Sequence, residues 1–177
     1  LKQEKGYFVV DTSQGQLTAK KVILATGVRG SPRKINVPGE NLPKVTYNLL
    51  DPEQYKRQEL AIVGGGNAAL EAVIALADSR LGNKITLIVR SRSFNRANQE
   101  NIEAVNALAL NGRIWVVFES NIKSIHDKYI VVDHGGSNIK MNNSFVFIFA
   151  GAEMPSSFLS SLGVKIEKKF GERLRRT

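Results

Sequence analysis

Apolar positions along this chain fall into short unbroken blocks and longer stretches with helical spacing. Ala61-Ile62-Val63 is a continuous apolar run, as expected of a parallel strand buried on both faces. After three glycines, Leu70, Val73, Ile74 and Ala77 recur at helical intervals and predict a helix over 67–80. Leu81-Gly82-Asn83 stops it, and Ile85-Thr86-Leu87-Ile88-Val89 predicts a second strand. Ile102, Val105, Leu108 and Ala109 lie mostly along one side of a second helix over 97–110. Asn111-Gly112 ends that helix, and Ile114-Trp115-Val116-Val117-Phe118 reads as a third strand. Residues 121–143 alternate and turn at His126-Asp127-Lys128 and Gly135-Gly136, which predicts an antiparallel meander. Phe145 to Ala150 reads as a further buried strand, and Gly6 to Val10 leads into a hairpin around Gln14-Gly15. The class is α/β.

The glycines between first strand and first helix need a reason, because glycine is costly in backbone entropy. Gly64-Gly65-Gly66-Asn67-Ala68-Ala69 fits G-x-G-x-x-G/A. In such a strand–turn–helix the first glycine allows the tight turn, and the second (Gly66) lets a pyrophosphate approach the backbone. The small residue Ala69 lets helix and strand pack closely. The helix N-terminus carries roughly half a positive charge and unpaired N–H donors, so it attracts anions. The order β-α-β-α-β fills one mononucleotide-binding half of a doubly wound sheet. The expected architecture is a Rossmann-like parallel sheet with helices on both faces and an antiparallel β-meander.

A dinucleotide's ribose is read near the end of the second strand. An NAD site usually places an acid there, whereas an NADP site places basic groups for the 2′-phosphate. Here the strand runs into Arg90-Ser91-Arg92-Ser93-Phe94-Asn95-Arg96, with no acid between Asp78 and Glu100. That pattern points to NADP(H). Two charge-assisted bonds to the 2′-phosphate would favour NADPH over NADH by about a hundredfold.

Further landmarks surround this core. Val22-Ile23-Leu24-Ala25-Thr26-Gly27 is followed by Val37-Pro38-Gly39-Glu40, and the Phe145–Gly151 run is followed by Pro155. In that order, and over nearly the whole chain, the sequence resembles flavoproteins with two dinucleotide-binding domains. The type is that of thioredoxin reductase, within the pyridine nucleotide-disulfide oxidoreductase superfamily. The resemblance implies hydride transfer from NADPH to FAD in the intact protein, with NADP(H) and FAD as cofactors. It implies that Thr26 and Gly27 lie near FAD, and that Gly64, Gly66, Asn67 and Ala68 hold the NADPH pyrophosphate. It places Glu71 towards the nicotinamide end, and Arg90, Ser91, Arg92 and Arg96 around the 2′-phosphate. Gly151 joins the cofactor-binding set, and no residue is assigned a catalytic or metal-binding role. The family often has H-R-R-D at the arginine loop where this chain has V-R-S-R.

The same resemblance exposes two departures. Thioredoxin reductases carry a redox C-x-x-C shortly before this glycine turn, whereas the matching stretch is Val45-Thr46-Tyr47-Asn48-Leu49-Leu50-Asp51 and the chain has no cysteine. A dithiol relay needs a thiolate, so the expectation shifts to relatives without that motif. These are the thioredoxin-reductase-like ferredoxin–NADP reductases, or disulfide reductases whose thiol chemistry lies elsewhere. The second departure is the number of glycine turns: the family needs one for FAD and one for NADPH, and one is present. The chain is therefore expected to be an NADPH-binding segment of a larger enzyme, its partners being the missing FAD-domain segments, an unknown electron acceptor and, as an open arrangement, a second copy. The expected boundaries are a partial FAD-domain flank and linker over 1–52, an NADP(H)-binding domain over 53–150, and a return towards the FAD domain over 151–177. The alternative is an NADP(H)-binding sensor or regulatory module without turnover.

Composition changes this picture little. With 177 residues and 42% hydrophobic content the chain can form one good core. The net charge of +9 is confined to the flanks. Residues 1–34 hold seven basic and two acidic groups, 165–177 hold six and two, and the interval 35–164 holds twelve of each. A basic face with interleaved aromatics is absent, so no nucleic-acid partner is expected. No run approaches the ~20 apolar residues of a membrane span; no membrane partner is expected, and the expected location is the cytoplasm. His126 and His134 sit at predicted turns as surface residues, and Trp115 and Phe118 are expected in the core.

Overall fold

The computed structural model describes residues 1–4, 6–25, 32–151, 159, 160 and 163. The chain divides into two compact units, Leu1–Ser31 with Glu153–Thr177, and Pro32–Ala152. Among the described residues of the first, β1 (Lys2–Glu4), β2 (Tyr7–Thr12) and β3 (Gly15–Ala19) form an antiparallel sheet in that order. The expected hairpin turns at Gly15, whose φ of +121° suits glycine.

The second unit carries the predicted alternation. In chain order it contains β4 (Val45–Thr46), β5 (Glu59–Val63), α1 (Asn67–Leu76), β6 (Lys84–Ile88), α2 (Gln99–Leu110) and β7 (Ile114–Val117). The meander strands β8 (Ser120–Ile125), β9 (Tyr129–His134) and β10 (Ser137–Asn142) follow, and then β11 (Phe145–Ile148). Strands β4-β11-β5-β6-β7 form a five-stranded parallel sheet. Because β4 pairs with β11, the unit takes in residues 32–52, ahead of the start expected at 53.

Strand alternation separates two apolar layers. Leu60 and Ile62, Ile85 and Leu87, Ile114, and Phe147 pack with Ala69, Leu70, Val73 and Leu76 of α1 and Val105 of α2. On the opposite face Ala61, Ile88, Val117, Val146 and Ile148 pack with Ile122, Ile125, Ile130, Val132 and Met141 of the meander. The α/β class and the meander match expectation. Both helices lie on one face, however, and the meander covers the other. The reason is topological: β5, β6 and β7 are successive neighbours, so two right-handed crossovers in one direction put both helices on the same side.

Local chemistry trims the elements. Helix α1 stops at Leu76 rather than at 80, where Asp78 Oδ1 accepts from Arg80 N at 2.9 Å and the guanidinium closes an ion pair at 2.7 Å. That short turn competes with helical hydrogen bonding. Trp115 stands on the edge strand β7 and is 56% exposed, contrary to its expected place in the core. Phe118 does pack against the helix-side layer. His126 and His134 are exposed as expected.

Candidate functional site

The glycine turn joins β5 to α1 at the C-terminal edge of the parallel sheet, where open α/β sheets bind ligands. Its three glycines are there for different reasons. Gly64 sits at φ +142°, and a Cβ on it would lie 2.7 Å from the Phe149 carbonyl oxygen and 3.0 Å from Ala69 Cβ. Turn geometry and close strand–helix packing both demand glycine. A Cβ on Gly65 would meet Val89 Cγ1 at 3.0 Å, so crowding from the end of β6 holds that position small.

Gly66 is different. Its backbone is extended (φ −102°, ψ 176°), which any residue adopts, and a Cβ there would meet nothing within 4 Å. It is the N-cap of α1, where Ser, Asp or Asn would satisfy a first-turn N–H, and it offers no side chain to do so. The protein has no packing need for glycine at 66, and the helix start is left uncapped, facing open space. That is the shape a pyrophosphate requires.

Two further loops meet this turn. Phe149 N donates to Val63 O at 2.8 Å, which brings the segment from Phe149 to Gly151 to the same sheet edge. Gly151 has φ +97°, and its carbonyl accepts from Arg33 N at 3.0 Å. The arginine loop leaves β6 and folds back so that Arg96 forms a parallel backbone bridge with Gly66. Phe94 pins it: its ring is 9% exposed and packs 5.0 Å from that of Phe118. Arg90, Arg92 and Arg96 project from the loop as exposed side chains.

Asn67 and Glu71 do more than line α1. Asn67 Oδ1 accepts from Asn98 N at 2.7 Å, fixing the start of α2 beside the turn. Asn98 in turn caps α2, its Oδ1 accepting from Asn101 N at 2.9 Å. Glu71 Oε1 accepts from Asn101 Nδ2 at 3.3 Å. Ser91 Oγ donates to Ser93 O at 2.6 Å, so its hydroxyl proton is committed within the loop. Arg92 Nε donates to Glu119 Oε1 at 2.8 Å, and that carboxylate holds the guanidinium even more firmly protonated than usual.

The structure thus gathers Gly64, Gly66, Asn67, Ala68, Arg90, Ser91, Arg92, Arg96 and Gly151 along one sheet edge, with Glu71 one turn further along α1. Thr26 and Gly27 lie outside the described residues. Among the described residues no cluster of three or more His, Asp or Glu side chains could hold a metal, and no helix is long and apolar enough to cross a membrane. Sequence reasoning missed Phe94, Asn98, Asn101 and Glu119. Phe94 had a visible signal, as a lone aromatic within a polar loop, and Asn98 had one as a cap before the second helical pattern. Glu119 had none.

A family model described as pyridine nucleotide-disulphide oxidoreductase matches residues 1–174. Among curated proteins, the chain is 30% identical over 172 residues to a bacilliredoxin reductase of Bacillus subtilis, covering 96% of this chain and 52% of that one. It is 31% identical over 176 residues to a ferredoxin–NADP reductase of Ignicoccus hospitalis, covering 94% and 55%. The chain spans about half the length of the curated relatives it matches. Among solved structures, the bacillithiol disulfide reductase of Bacillus cereus superposes with a TM-score of 0.87 at 26% identity, over 95% of this chain and 53% of that one. Thioredoxin reductase of Lactococcus lactis superposes at 0.78 with 23% identity, over 94% and 56%, a likeness of fold.

Proposed function

Because this chain belongs to the pyridine nucleotide-disulphide oxidoreductase family, we propose that it is the NADP(H)-binding part of a flavin-dependent oxidoreductase. The observation that carries this reading is Gly66, a glycine with open space before it at an uncapped helix start. The first-turn N–H groups and Gly66 would receive the pyrophosphate, and the arginine loop bridged to Gly66 would receive the 2′-phosphate. FAD bound in the intact protein would supply the redox chemistry, accepting hydride from NADPH. What this chain contributes is orientation. Asn67 fixes the start of α2, Phe94 fixes the arginine loop, and both set the distance between the two phosphate sites.

The names of the relatives differ in the acceptor, between bacilliredoxin and ferredoxin, while the ferredoxin relative carries NADP in its name. Absence of cysteine means any thiol step would use sulfur from outside these residues. The test is titration of the chain with NADPH and NADH by calorimetry at low and high salt. NADPH should bind more tightly, and the preference should shrink as ionic strength rises, since the arginines are exposed. Equal binding of the two nucleotides at low salt would make the arginines ordinary surface charge and end the NADP assignment.

A further inference from the structure

We propose that Glu119 sets how strongly this site prefers the 2′-phosphorylated nucleotide, by engaging Arg92 in an ion pair that a 2′-phosphate must break. The inference rests on the NADP(H) reading above and adds a selectivity residue to it. By sequence the nucleotide-reading loop has no acid, since none stands between Asp78 and Glu100. In the folded chain one arrives from 27 positions beyond Arg92. Glu119 follows β7 at the same sheet edge, and two backbone bonds stitch it to the arginine loop. Glu119 N donates to Ser91 O at 3.2 Å, and Ser120 N donates to Val89 O at 3.1 Å.

Its conformation strengthens the case. Glu119 has φ +50°, a left-handed geometry that a side chain other than glycine's adopts at a cost. Glycine would relieve that cost and would also remove the carboxylate. The carboxylate accepts from Arg92 Nε at 2.8 Å, a single-point contact rather than a two-pronged clamp. The side chains are 87% and 55% exposed, so water screens the pair and it is weak. A doubly charged phosphate can compete for Arg92, but it does so against a partner already in place. Among the described residues, this ion pair engages Arg92 and neither Arg90 nor Arg96.

The consequence is a built-in restraint on selectivity. Glu119→Gln keeps the shape and the backbone geometry while removing the charge. Binding is read by calorimetry with adenosine 2′,5′-bisphosphate and with 5′-AMP, for wild type, Glu119→Gln, Arg92→Ala and the double variant, with thermal unfolding as a check on each. Glu119→Gln should tighten the bisphosphate by about three- to fivefold, the scale of an exposed ion pair, and leave 5′-AMP unchanged. In the Arg92→Ala background the same change should have no effect. An unchanged or weakened affinity in Glu119→Gln overturns the proposal, because Glu119 would then be a bystander or a positioner of Arg92. An equal gain without Arg92 overturns it too, since the carboxylate would act on the phosphate directly. If wild type fails to prefer the bisphosphate over 5′-AMP, the NADP reading falls and this proposal with it. A clear preference that is insensitive to Glu119 sinks this proposal alone.

Discussion

Gly66→Val separates a ligand's need for glycine from the fold's need. The new Cβ would meet nothing within 4 Å, and the backbone at φ −102° and ψ 176° accepts any residue. Replacing glycine at a compatible position stabilises by about 0.4–1 kcal/mol through the unfolded chain. Valine is a poorer helix N-cap than glycine by a similar amount, so the two effects nearly cancel. Stability should therefore stay within about 0.5 kcal/mol of wild type. Binding should not survive. The isopropyl group would occupy the approach to the first-turn N–H groups, and losing two bonds to a charged pyrophosphate weakens affinity at least about a hundredfold. Gly64→Ala is the contrasting control: φ +142° and a Cβ 2.7 Å from the Phe149 carbonyl should cost about 2–4 kcal/mol of stability. Thermal unfolding and NADPH calorimetry on both variants read the two quantities separately. Gly66→Val protein that is folded and binds NADPH within about threefold of wild type would refute the pyrophosphate site.

Three other outcomes follow from the same geometry. Replacing Arg90 and Arg92 together by Ala should weaken NADPH by roughly thirty- to a hundredfold at low salt while NADH changes little; parallel losses for both nucleotides in calorimetry would count against 2′-phosphate recognition. Phe94→Ala should cost about 3 kcal/mol in denaturant unfolding, and should weaken NADPH more than NADH because the arginine loop loses its anchor; a stability loss with no change in nucleotide preference would separate Phe94 from the site. Glu40 is 6% exposed and accepts from Ile35 N at 2.8 Å, Asn36 N at 2.7 Å and the Tyr47 hydroxyl at 2.8 Å. Burial pushes this carboxyl up, but the N–H and hydroxyl donors outweigh it and leave it below its ordinary value of 4.5. The folded state therefore favours the ionised form. Its contribution is full above that value and is lost as pH falls through the lowered one. Glu40→Gln should cost about 1–2 kcal/mol at neutral pH, with a gap to wild type that narrows on acidification; a constant gap from pH 7 to pH 3 in thermal unfolding would contradict this.

Much of this protein follows from periodicity alone. A run such as Ala61-Ile62-Val63 reads as a strand buried on both faces because it is short, has no polar side and ends at glycines. The spacing of Leu70, Val73, Ile74 and Ala77 predicts a helix with one apolar face. The hairpin and meander turns were equally plain at Gly15 and Gly135-Gly136, where positive φ is needed. Glycine chemistry is local in the same sense, so the turn after β5 and the arginine loop after β6 could be read directly.

What the sequence left undecided depends on distance along the chain. Local spacing does not say on which face of the sheet each crossover lands. Both helices share a face because β5, β6 and β7 are consecutive neighbours, an order settled by pairing between segments more than twenty residues apart. Helix α1 ends before its apolar spacing does, because Asp78 and Arg80 form a turn that competes with the helix. Trp115 read as core from its apolar neighbours, but an edge strand has no further strand to cover its flank. The motif gives Gly64 a turn role and Gly66 a ligand role, but G-G-G does not reveal that Phe149 crowds the first, Val89 the second and nothing the third. Glu119 is the sharpest case. Its charge reaches Arg92 because β6 and β7 lie side by side in register, which brings the residues following each strand to one edge. Local propensity and pattern determine elements and turns; which charges face one another at a site is decided when the sheet closes, because electrostatic contact depends on separation in space.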